Sequence, residues 1–328
     1  MTKPINWGIL GAAKFALQQM APAIHMARGA RLAALATRSA EKAIPFQAFC
    51  PDLNVHSSYD ALLADPQIDA VYIPLPNSMH VEWTKEALRA GKHVLCEKPI
   101  AMRAREIDEL IALRDQTGLL AAEAYMIVHH PQWHLAKQLY EEGQIGVLRH
   151  VSGIFSYDNS ADPGNIRNAP ETGGGGIPDI GVYTFGATRF VTGQEPEDIS
   201  ANITWENGVD VKAEVTAQFP GFSLHSMVSM RMMPFQEMLF HGTDGTIRLT
   251  APFNPLSYGE AQVELRRKDG GLSLRKFPAT NHYVLQVEAF SRSARTGDPY
   301  PATLEFAKGT QAMIDRVFDS DQSRAGQL

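Results

Sequence analysis

The sequence has little of what several large classes of protein require. Only two of its 328 residues are cysteines, Cys50 and Cys96, so a disulfide framework is not available and an oxidising compartment is not expected. No stretch approaches the roughly 18 uninterrupted apolar residues of a membrane span. The most apolar stretch, at 119–128, is interrupted by Glu123. The first residues also lack the basic and apolar regions of a secretory signal, which predicts a soluble, cytoplasmic protein.

An excess of basic residues is missing as well. Lysine and arginine together number 30, against 36 aspartate and glutamate residues, which gives a net charge of −6. This balance offers no attraction to phosphate backbones, so neither nucleic acid nor a membrane is an expected partner. The hydrophobic fraction of 44% is ordinary for a globular protein. A length about twice that of a domain of ~150 residues predicts two domains.

Strand and helix patterns alternate over the first third of the chain. The predicted strands are 5–10, 31–36, 69–73, 93–96 and 119–123. Helical patterns of about ten to fifteen residues separate them, beginning near Lys14, Ser39, Met79 and Arg103. Strands that alternate with helices of this length indicate parallel βαβ units. We therefore predict an α/β fold with a doubly wound parallel sheet.

The pattern changes in the second part of the chain. A helix is predicted from Pro131, and strand patterns then follow one another over 198–276. Residues 211–219 alternate strictly between apolar and polar types, which is typical of an antiparallel sheet with one buried face. Two further helices are predicted near 282–295 and 303–318. We expect a dinucleotide-type domain at 1–122 and a second domain at 123–328, without a flexible linker.

The first candidate site is the turn after the first predicted strand, Gly11-Ala12-Ala13-Lys14-Phe15-Ala16. It matches the G-x-G-x-x-G/A dinucleotide fingerprint, except that Ala13 replaces the second glycine. Gly11 would permit the tight turn, Ala16 close packing of helix on strand, and the helix N-terminus would receive a pyrophosphate. Ala13 lies where the backbone must approach the phosphate closely. The alternative of a turn of small residues that binds no ligand therefore stays open.

The end of the second strand bears on which dinucleotide binds. NAD enzymes normally place an acidic residue there. This chain instead has Thr37-Arg38-Ser39, with Lys42 one turn later. A cation and hydroxyl donors suit a 2′-phosphate, so the predicted cofactor is NADP rather than NAD. The alternative is an ordinary solvated helix start capped by Ser39.

Two further segments carry candidate catalytic groups. Lys98 follows the strand 93–96, and ligands of open α/β sheets bind beyond the carboxyl ends of strands. Four glycines at 173–176 indicate backbone packed closely against something, and Asp179 and Tyr183 follow at a helical spacing that puts them on one face. Alternatively, Lys98 is a solvated surface charge, Asp179 interacts with the dipole at the start of the helix, and Tyr183 is a packing residue.

A metal centre is not predicted. His130 and His134 have the i, i+4 spacing of a zinc helix, but no glutamate lies between them and no third ligand is evident.

Taken together, these motifs resemble the Gfo/Idh/MocA (glucose–fructose oxidoreductase/inositol dehydrogenase) family along essentially the full length. The matching segments, in the family's order, are WGILGAAKFA at the start, Pro76-Asn77-x-x-His80, AGKHVLCEKPIA at 90–101, EAYM at 123–126 and GGGGIPDIGVY at 173–183. The resemblance implies an N-terminal Rossmann domain and a C-terminal α/β domain with a large, mainly antiparallel open sheet. It also implies a homodimer or homotetramer assembled through that sheet.

The resemblance also implies roles for individual residues. It makes Lys98 the catalytic lysine and Asp179 the substrate-orienting carboxylate. Tyr183 looks like the tyrosine branch, which contains glucose–fructose oxidoreductase, dimeric dihydrodiol dehydrogenase and NADP-dependent D-xylose dehydrogenases. Arg167 falls where the family often has a Trp-Arg pair near the nicotinamide, with Ile166 replacing the tryptophan. The remaining contacts expected with the cofactor are Pro74, Leu75, Pro76, Asn77, His80, Glu97, Lys98 and Pro99. Those expected with the substrate are Lys98, Tyr125, Asp179 and Tyr183.

The function expected from the sequence is an NADP(H)-dependent sugar oxidoreductase, with oxidation of an aldose such as xylose or glucose at C1 as the favoured reaction. Tyr183 would take the hydroxyl proton, because Lys98 and the cationic nicotinamide both favour the tyrosinate. Asp179 would fix the substrate hydroxyl by hydrogen bonding. The alternatives are reduction of a keto-sugar or dicarbonyl, as in 1,5-anhydrofructose reductase, oxidation of a dihydrodiol, and a non-catalytic NADP-binding sensor.

Overall fold

A computed structural model describes residues 3–322. Within this range the chain forms two compact units. The first runs to His129 and includes Asn281–Lys308, and the second contains His130–Thr280 and the chain from Gly309. The predicted domains were 1–122 and 123–328. The compact units differ from these domains most at 281–308, which was predicted in the second domain and lies in the first unit. The boundary itself stays a prediction.

The helices and strands follow the predicted order closely. The strands are β1 Ile5–Leu10, β2 Ala30–Ala36, β3 Asn54–His56, β4 Ala70–Ile73, β5 His93–Cys96, β6 Ala121–Glu123, β7 Leu148–Asp158, β8 Asp198–Glu206, β9 Val209–Phe219, β10 Phe222–Ser229, β11 Arg231–Gly242, β12 Gly245–Leu249, β13 Gln262–Arg267 and β14 Leu272–Lys276. The helices are α1 Ala21–Met26, α2 Ala40–Phe49, α3 Tyr59–Leu63, α4 His80–Arg89, α5 Ala104–Thr117, α6 Pro131–Glu141, α7 Val182–Thr192, α8 Pro255–Tyr258, α9 His282–Thr296 and α10 Leu304–Asp319. Two π-helical segments, Ala16–Met20 and Ile177–Gly181, lead into α1 and α7.

The first unit is built on a six-stranded parallel sheet in the order β3-β2-β1-β4-β5-β6. Its central strands β1 and β4 are buried along their whole length, as expected where helices cover both faces. The chain reverses its direction across the sheet between β1 and β4, which is the switch point where doubly wound folds bind dinucleotides. The predicted doubly wound sheet is confirmed. Only the three-residue strand β3 was not predicted.

Helix α9 completes the first unit although it lies near the end of the chain. The indole Nε1 of Trp7, on β1, donates to Ser291 Oγ at 3.1 Å, and the Trp7 and Phe290 rings lie 5.0 Å apart. All three side chains are fully buried. An exposed ion pair between Arg28 and Glu288 adds a contact after α1. The apolar face of α9 is thereby covered by the first unit.

The second unit contains an eight-stranded sheet in the order β14-β13-β12-β11-β7-β10-β9-β8. Every neighbouring pair is antiparallel except β7 with β10, which is parallel. The predicted large, mainly antiparallel sheet is confirmed. The alternation at 211–219 falls in β9, whose odd-numbered residues are buried. Dimerisation through this sheet, which the resemblance implies, stays a prediction.

Among residues 3–322, no helix combines the length and the apolar character that crossing a bilayer would require.

The contact between α9 and β1 predicts the result of one substitution. Phe290→Ala removes a fully buried ring that packs on Trp7, and such truncations cost about 3–5 kcal/mol. We expect a clearly lower midpoint in urea unfolding of the full chain. Ile44→Ala is the control, because Ile44 lies in the same unit but is 62% exposed, and it should shift the midpoint little. Equal effects of the two variants would show that α9 does not stabilise the first unit.

Candidate active site

The dinucleotide turn lies directly after β1, at the switch point of the six-stranded sheet. Gly11 has φ +100°, and its N–H donates to Ala36 O at 2.9 Å. A Cβ on Gly11 would come within 3.0 Å of Leu75 Cδ2 and 3.3 Å of the Tyr59 hydroxyl. Glycine is therefore required here for both conformation and space. Ala12, Ala13 and Phe15 are half-buried, Lys14 is exposed and Ala16 is buried.

The residues after β2 have two roles. Ser39 Oγ accepts from Lys42 N at 3.3 Å and caps α2, which is the alternative considered for this segment. Thr37 Oγ1 accepts from Ser39 N at 3.2 Å. Arg38 is exposed and lies near Tyr59, where burial raises the pKa of the phenol and the Arg38 charge opposes the rise. Residues 37–39 offer a cation and two hydroxyls, which fit a 2′-phosphate, and they also start a helix whose first turn contains Glu41.

His80 joins two of the predicted cofactor loops. Its Nδ1 lies 2.7 Å from Pro99 O and its Nε2 lies 2.8 Å from Leu75 O, so one imidazole links the loop after β4 to the loop after β5. The side chain is fully buried, and burial lowers the pKa of the imidazole although the two carbonyls oppose this. His80 thus holds the loops and presents no surface to a ligand. Pro76 and Asn77, in contrast, are half-buried.

The loop after β5 carries Glu97 and Lys98, both half-buried. Glu97 accepts from the Tyr72 hydroxyl at 2.6 Å and from Lys98 N at 3.3 Å. The pKa of Tyr283, on α9, is raised by burial and by the charge of Glu97, and the Tyr283 ring meets Phe15 edge-on at 5.7 Å. Tyr72 and Tyr283 were not predicted, because nothing in their local sequence marks them.

Tyr125, predicted to contact the substrate, lies just after β6. Its side chain is fully buried in the first unit, with its ring 5.8 Å from that of Phe306. Its contact with the substrate stays a prediction.

In the second unit, Asp179 lies at the centre of a polar cluster. Its Oδ2 accepts from Arg167 Nε at 2.8 Å and from the Tyr157 hydroxyl at 2.7 Å. The charge of Asp179, followed by smaller contributions that include Tyr183, holds the pKa of Arg167 above its ordinary value. Burial, and then the Asp179 charge, raise the pKa of Tyr157 well above that of a free phenol. Arg167, predicted near the nicotinamide, is thus a partner of Asp179, and Tyr157 was not predicted.

Tyr183 lies in the first turn of α7, directly after the π-helical segment Ile177–Gly181. Its ring packs 5.7 Å from Phe155 and 5.5 Å from Phe253, and only 6% of the residue is exposed. Asp179 and Tyr183 both lie close enough to Arg167 to raise its pKa. Carboxylate and phenol are thus both electrostatic neighbours of the Arg167 guanidinium, and a π turn rather than an α turn connects them in the chain.

The glycine run packs against the protein itself. A Cβ on Gly174 would lie 2.5–2.8 Å from the carbonyl oxygens of residues 166, 167 and 169. Gly175 has φ +127°, and a Cβ there would overlap Asp210 Oδ1. The predicted close packing of the glycine backbone is confirmed, and Asp210, which no motif marked, is what Gly175 accommodates.

His130, one of the two histidines with the spacing of a zinc helix, has a structural role. His130 Nδ1 accepts from Gln132 N at 3.1 Å and caps α6. Burial, assisted by His134, lowers the pKa of His130 to about 4. Within residues 3–322, no group of three or more His, Cys, Asp or Glu side chains is arranged to hold a metal ion.

The tight packing at Gly175 predicts a large effect of a small substitution. Gly175→Ala places a methyl group on Asp210 Oδ1 and forces alanine to adopt φ +127°, so we expect a loss of about 2–4 kcal/mol in the free energy of unfolding. Gly164→Ala is the matched control, since nothing lies within 4 Å of its Cβ position and its φ is not positive. Thermal unfolding of both variants tests this, and a Gly175 variant as stable as the control would contradict it.

Comparisons with known proteins agree with this architecture. Residues 5–125 match the Gfo/Idh/MocA model of an oxidoreductase family with an NAD-binding Rossmann fold, and residues 133–248 match the Gfo/Idh/MocA C-terminal domain. A dTDP-3,4-didehydro-2,6-dideoxy-α-D-glucose 3-reductase from Saccharopolyspora spinosa is 34% identical over 302 residues, which cover 90% of this chain and 90% of the relative. D-xylose 1-dehydrogenase (NADP(+)) 2 from Haloferax volcanii is 30% identical over 325 residues, which cover 97% of this chain and 98% of the relative.

The same similarity appears in three dimensions. The crystal structure of a 3-ketoreductase from Actinomadura kijaniata in complex with NADP and TDP-benzene has a TM-score of 0.90 and 29% sequence identity, covering 97% of this chain and 98% of that one. The family model confirms the predictions of an enzyme and of a nicotinamide dinucleotide as its cofactor. On its motifs, its strand order and these matches, the protein belongs to the Gfo/Idh/MocA family of oxidoreductases.

Proposed function

We propose that this protein is an NADP(H)-dependent oxidoreductase that acts on a CH–OH group of a sugar, and that its reaction is the oxidation of an aldose at C1. The observation that carries the proposal is the Asp179 carboxylate, held by Arg167 and Tyr157 beside the phenol of Tyr183. Such a fixed pair suits the task of holding one sugar hydroxyl and moving its proton. The D-xylose 1-dehydrogenase relative supports an aldose as the substrate.

The first unit offers the features that NADP(H) requires. The strand order, the glycine with φ +100° and the half-buried turn at 11–13 fit a pyrophosphate, and Thr37, Arg38 and Ser39 fit a 2′-phosphate. NADP is named in the Haloferax volcanii relative and is bound in the Actinomadura kijaniata structure, which agrees with this choice. The bound cofactor supplies the acceptor or donor of a hydride at C4 of its nicotinamide.

The protein's own groups handle the proton and the orientation. In the oxidation, the hydroxyl proton of the sugar passes to Tyr183 Oη, and in the reduction it returns from there. A free phenol titrates near ~10, too high for efficient proton abstraction at neutral pH, so a nearby cation is needed. The family resemblance assigns this task to Lys98, and within the second unit the charge of Tyr183 interacts with that of Arg167. Asp179 accepts a hydrogen bond from the sugar and fixes its orientation.

Reduction of a keto-sugar is the second candidate. The Saccharopolyspora spinosa relative is named as a 3-reductase of a dTDP-linked keto-sugar, and the similar structure is a 3-ketoreductase. The same residues serve both directions, because proton donation by Tyr183 is the reverse of its role in oxidation. A panel of free aldoses with NADP⁺ and of keto-sugars, free and nucleotide-linked, with NADPH separates the two. Turnover of keto-sugars alone would overturn the aldose proposal, and no turnover on either panel would overturn both.

The role of Tyr183 predicts a specific loss. Tyr183→Phe removes only the hydroxyl that carries the proton, so turnover should fall by roughly 10²–10⁴ while NADPH binding remains intact. Tyr258→Phe, at a half-buried tyrosine of the same unit, is the control and should keep its activity. Turnover is read from the nicotinamide absorbance and binding from its fluorescence. Undiminished turnover of the Tyr183 variant would remove this residue from the mechanism.

The preference for NADP(H) predicts a second result. Arg38→Ala removes the cation assigned to the 2′-phosphate, and a charge-assisted contact of this kind is worth about 1.5–3 kcal/mol, or roughly 10–100-fold in affinity. NADPH should bind more weakly by this factor, whereas binding of NADH should change little. Arg31→Ala, at an exposed arginine on β2, the strand that precedes Arg38, is the control. Tighter binding of NADH than of NADPH by the unchanged protein would contradict the assignment.

A further inference from the structure

Asp210 is a buried carboxylate that no role described so far uses. It lies on β9 and is only 1% exposed. Its Oδ2 accepts from the N–H of Ile177 at 2.5 Å, and its Oδ1 occupies the space where Gly175 has no side chain. A carboxylate from the sheet therefore fills the turn that starts the π-helical segment Ile177–Gly181.

This turn determines where the catalytic candidates point. The N–H of Asp179 donates to Gly175 O at 3.2 Å, so the residue that accommodates Asp210 also begins the helical hydrogen bonds. Asp179 lies two residues after Ile177, and Tyr183 follows in the next turn. Asp210 is hydrogen-bonded to the backbone of this turn. A shift of its carboxylate would therefore move the turn, and with it the side chains of Asp179 and Tyr183.

The surroundings of Asp210 contain few charges. From the π-helical segment, the backbone N–H groups of Gly176 and Ile177 face it, and Asp179 is the charged neighbour. From the strands, its partner on β8 is Trp205, and the neutral Met230 lies beside Gly176. Burial, and to a lesser degree the Asp179 charge, raise the pKa of Asp210 to about 7, while the backbone N–H groups oppose this rise. No cation lies among these contributors, which leaves the backbone donors to stabilise the ionised form.

We propose that Asp210 is a positioning residue for the reaction, because its ionised carboxylate holds the glycine turn and thereby aims Asp179 and Tyr183 at the sugar. The inference rests on the function proposed above. It goes beyond that function by making the arrangement of the site depend on a group that does not touch the substrate.

The proposal implies a pH dependence with a definite sign. Above about pH 7, Asp210 is ionised, and its carboxylate accepts hydrogen bonds from the N–H groups of Ile177 and Gly176. As the pH falls through about 7, the carboxyl takes up a proton and loses the charge that strengthens these hydrogen bonds, so the turn loses part of its anchor. Turnover should therefore decrease toward acidic pH through the loss of Asp210 charge. Other groups that affect turnover are common to the unchanged protein and to an Asp210 variant, so the comparison of the two isolates Asp210.

The test compares the full-length protein with Asp210→Asn and Glu214→Gln from about pH 6 to about pH 9, using the sugar and NADP⁺ that the panel identifies. Asn resembles protonated Asp in shape, so this variant should stay at the acidic level of activity at every pH. The ratio of kcat between the unchanged protein and Asp210→Asn should rise about tenfold from pH 6 to pH 8, while NADPH binding is equal. Glu214, exposed on the same strand, is the matched control, and its variant should follow the unchanged protein.

Every result of this comparison either supports or overturns the proposed role of Asp210. A kcat ratio that is constant with pH overturns the proposal and leaves Asp210 with a purely structural role. If Asp210→Asn does not fold, Asp210→Glu replaces it, and the pH midpoint of kcat should move in that variant. A kcat profile of the unchanged protein without an ionisation between about pH 6 and pH 8 also overturns the proposal. Absence of turnover on any sugar removes the proposed function and the inference together, whereas turnover with a constant ratio removes only the inference.

Discussion

A carboxylate persists in a protein interior only when donors or cations surround it, because its burial without them is far more costly than any single packing contact provides. The second unit has to satisfy two such groups next to each other. Asp179 receives a guanidinium and a phenol, and Asp210 receives backbone N–H groups. The glycines follow from this constraint, because only a backbone without a side chain at Gly175 lets a carboxylate reach the N–H of Ile177.

The first unit meets a different constraint at its switch point. Three loops that leave the carboxyl ends of β1, β4 and β5 must hold their places without strands to pair them. The fully buried imidazole of His80 lies between carbonyl oxygens of two of them and donates its N–H to one, and Leu75 packs against the position of Gly11 in the third. Glu97 is fixed in turn by the hydroxyl of Tyr72. The exposed and half-buried groups of these loops are thus supported by buried ones, as a preorganised binding site requires.

Local patterns were sufficient to predict most of the fold. Apolar runs and helix stops predicted five of the six strands of the first sheet, and the alternation at 211–219 predicted β9. Strand β3 was missed because it has only three residues, and β7 because His150, Ser152 and Gly153 dilute its apolar pattern. These failures have one cause, since short or mixed strands form through pairing with neighbours rather than through their own propensity.

The candidate site was only partly predictable, for a related reason. Lys98, Asp179 and Tyr183 lie in recognisable motifs, whereas Tyr157 and Asp210 act through partners 22 and 33 residues away and carry no local mark. Their partners could have been found only by knowing the sheet register, because the bonds connect β7 and β9 to a segment outside the sheet.

The return of α9 to the first unit extends this argument from the site to the whole chain. Trp7 on β1 completes its hydrogen bonding only through Ser291, and the Phe15 side chain in the dinucleotide turn has Tyr283 as its ring partner. A fragment that ends at residue 129 would therefore leave a buried indole N–H without its acceptor and expose the apolar face that α9 covers. The cofactor-binding unit consequently depends on residues that the chain supplies only after the second unit's large sheet has been traversed, so cofactor binding has to be measured on the full-length protein.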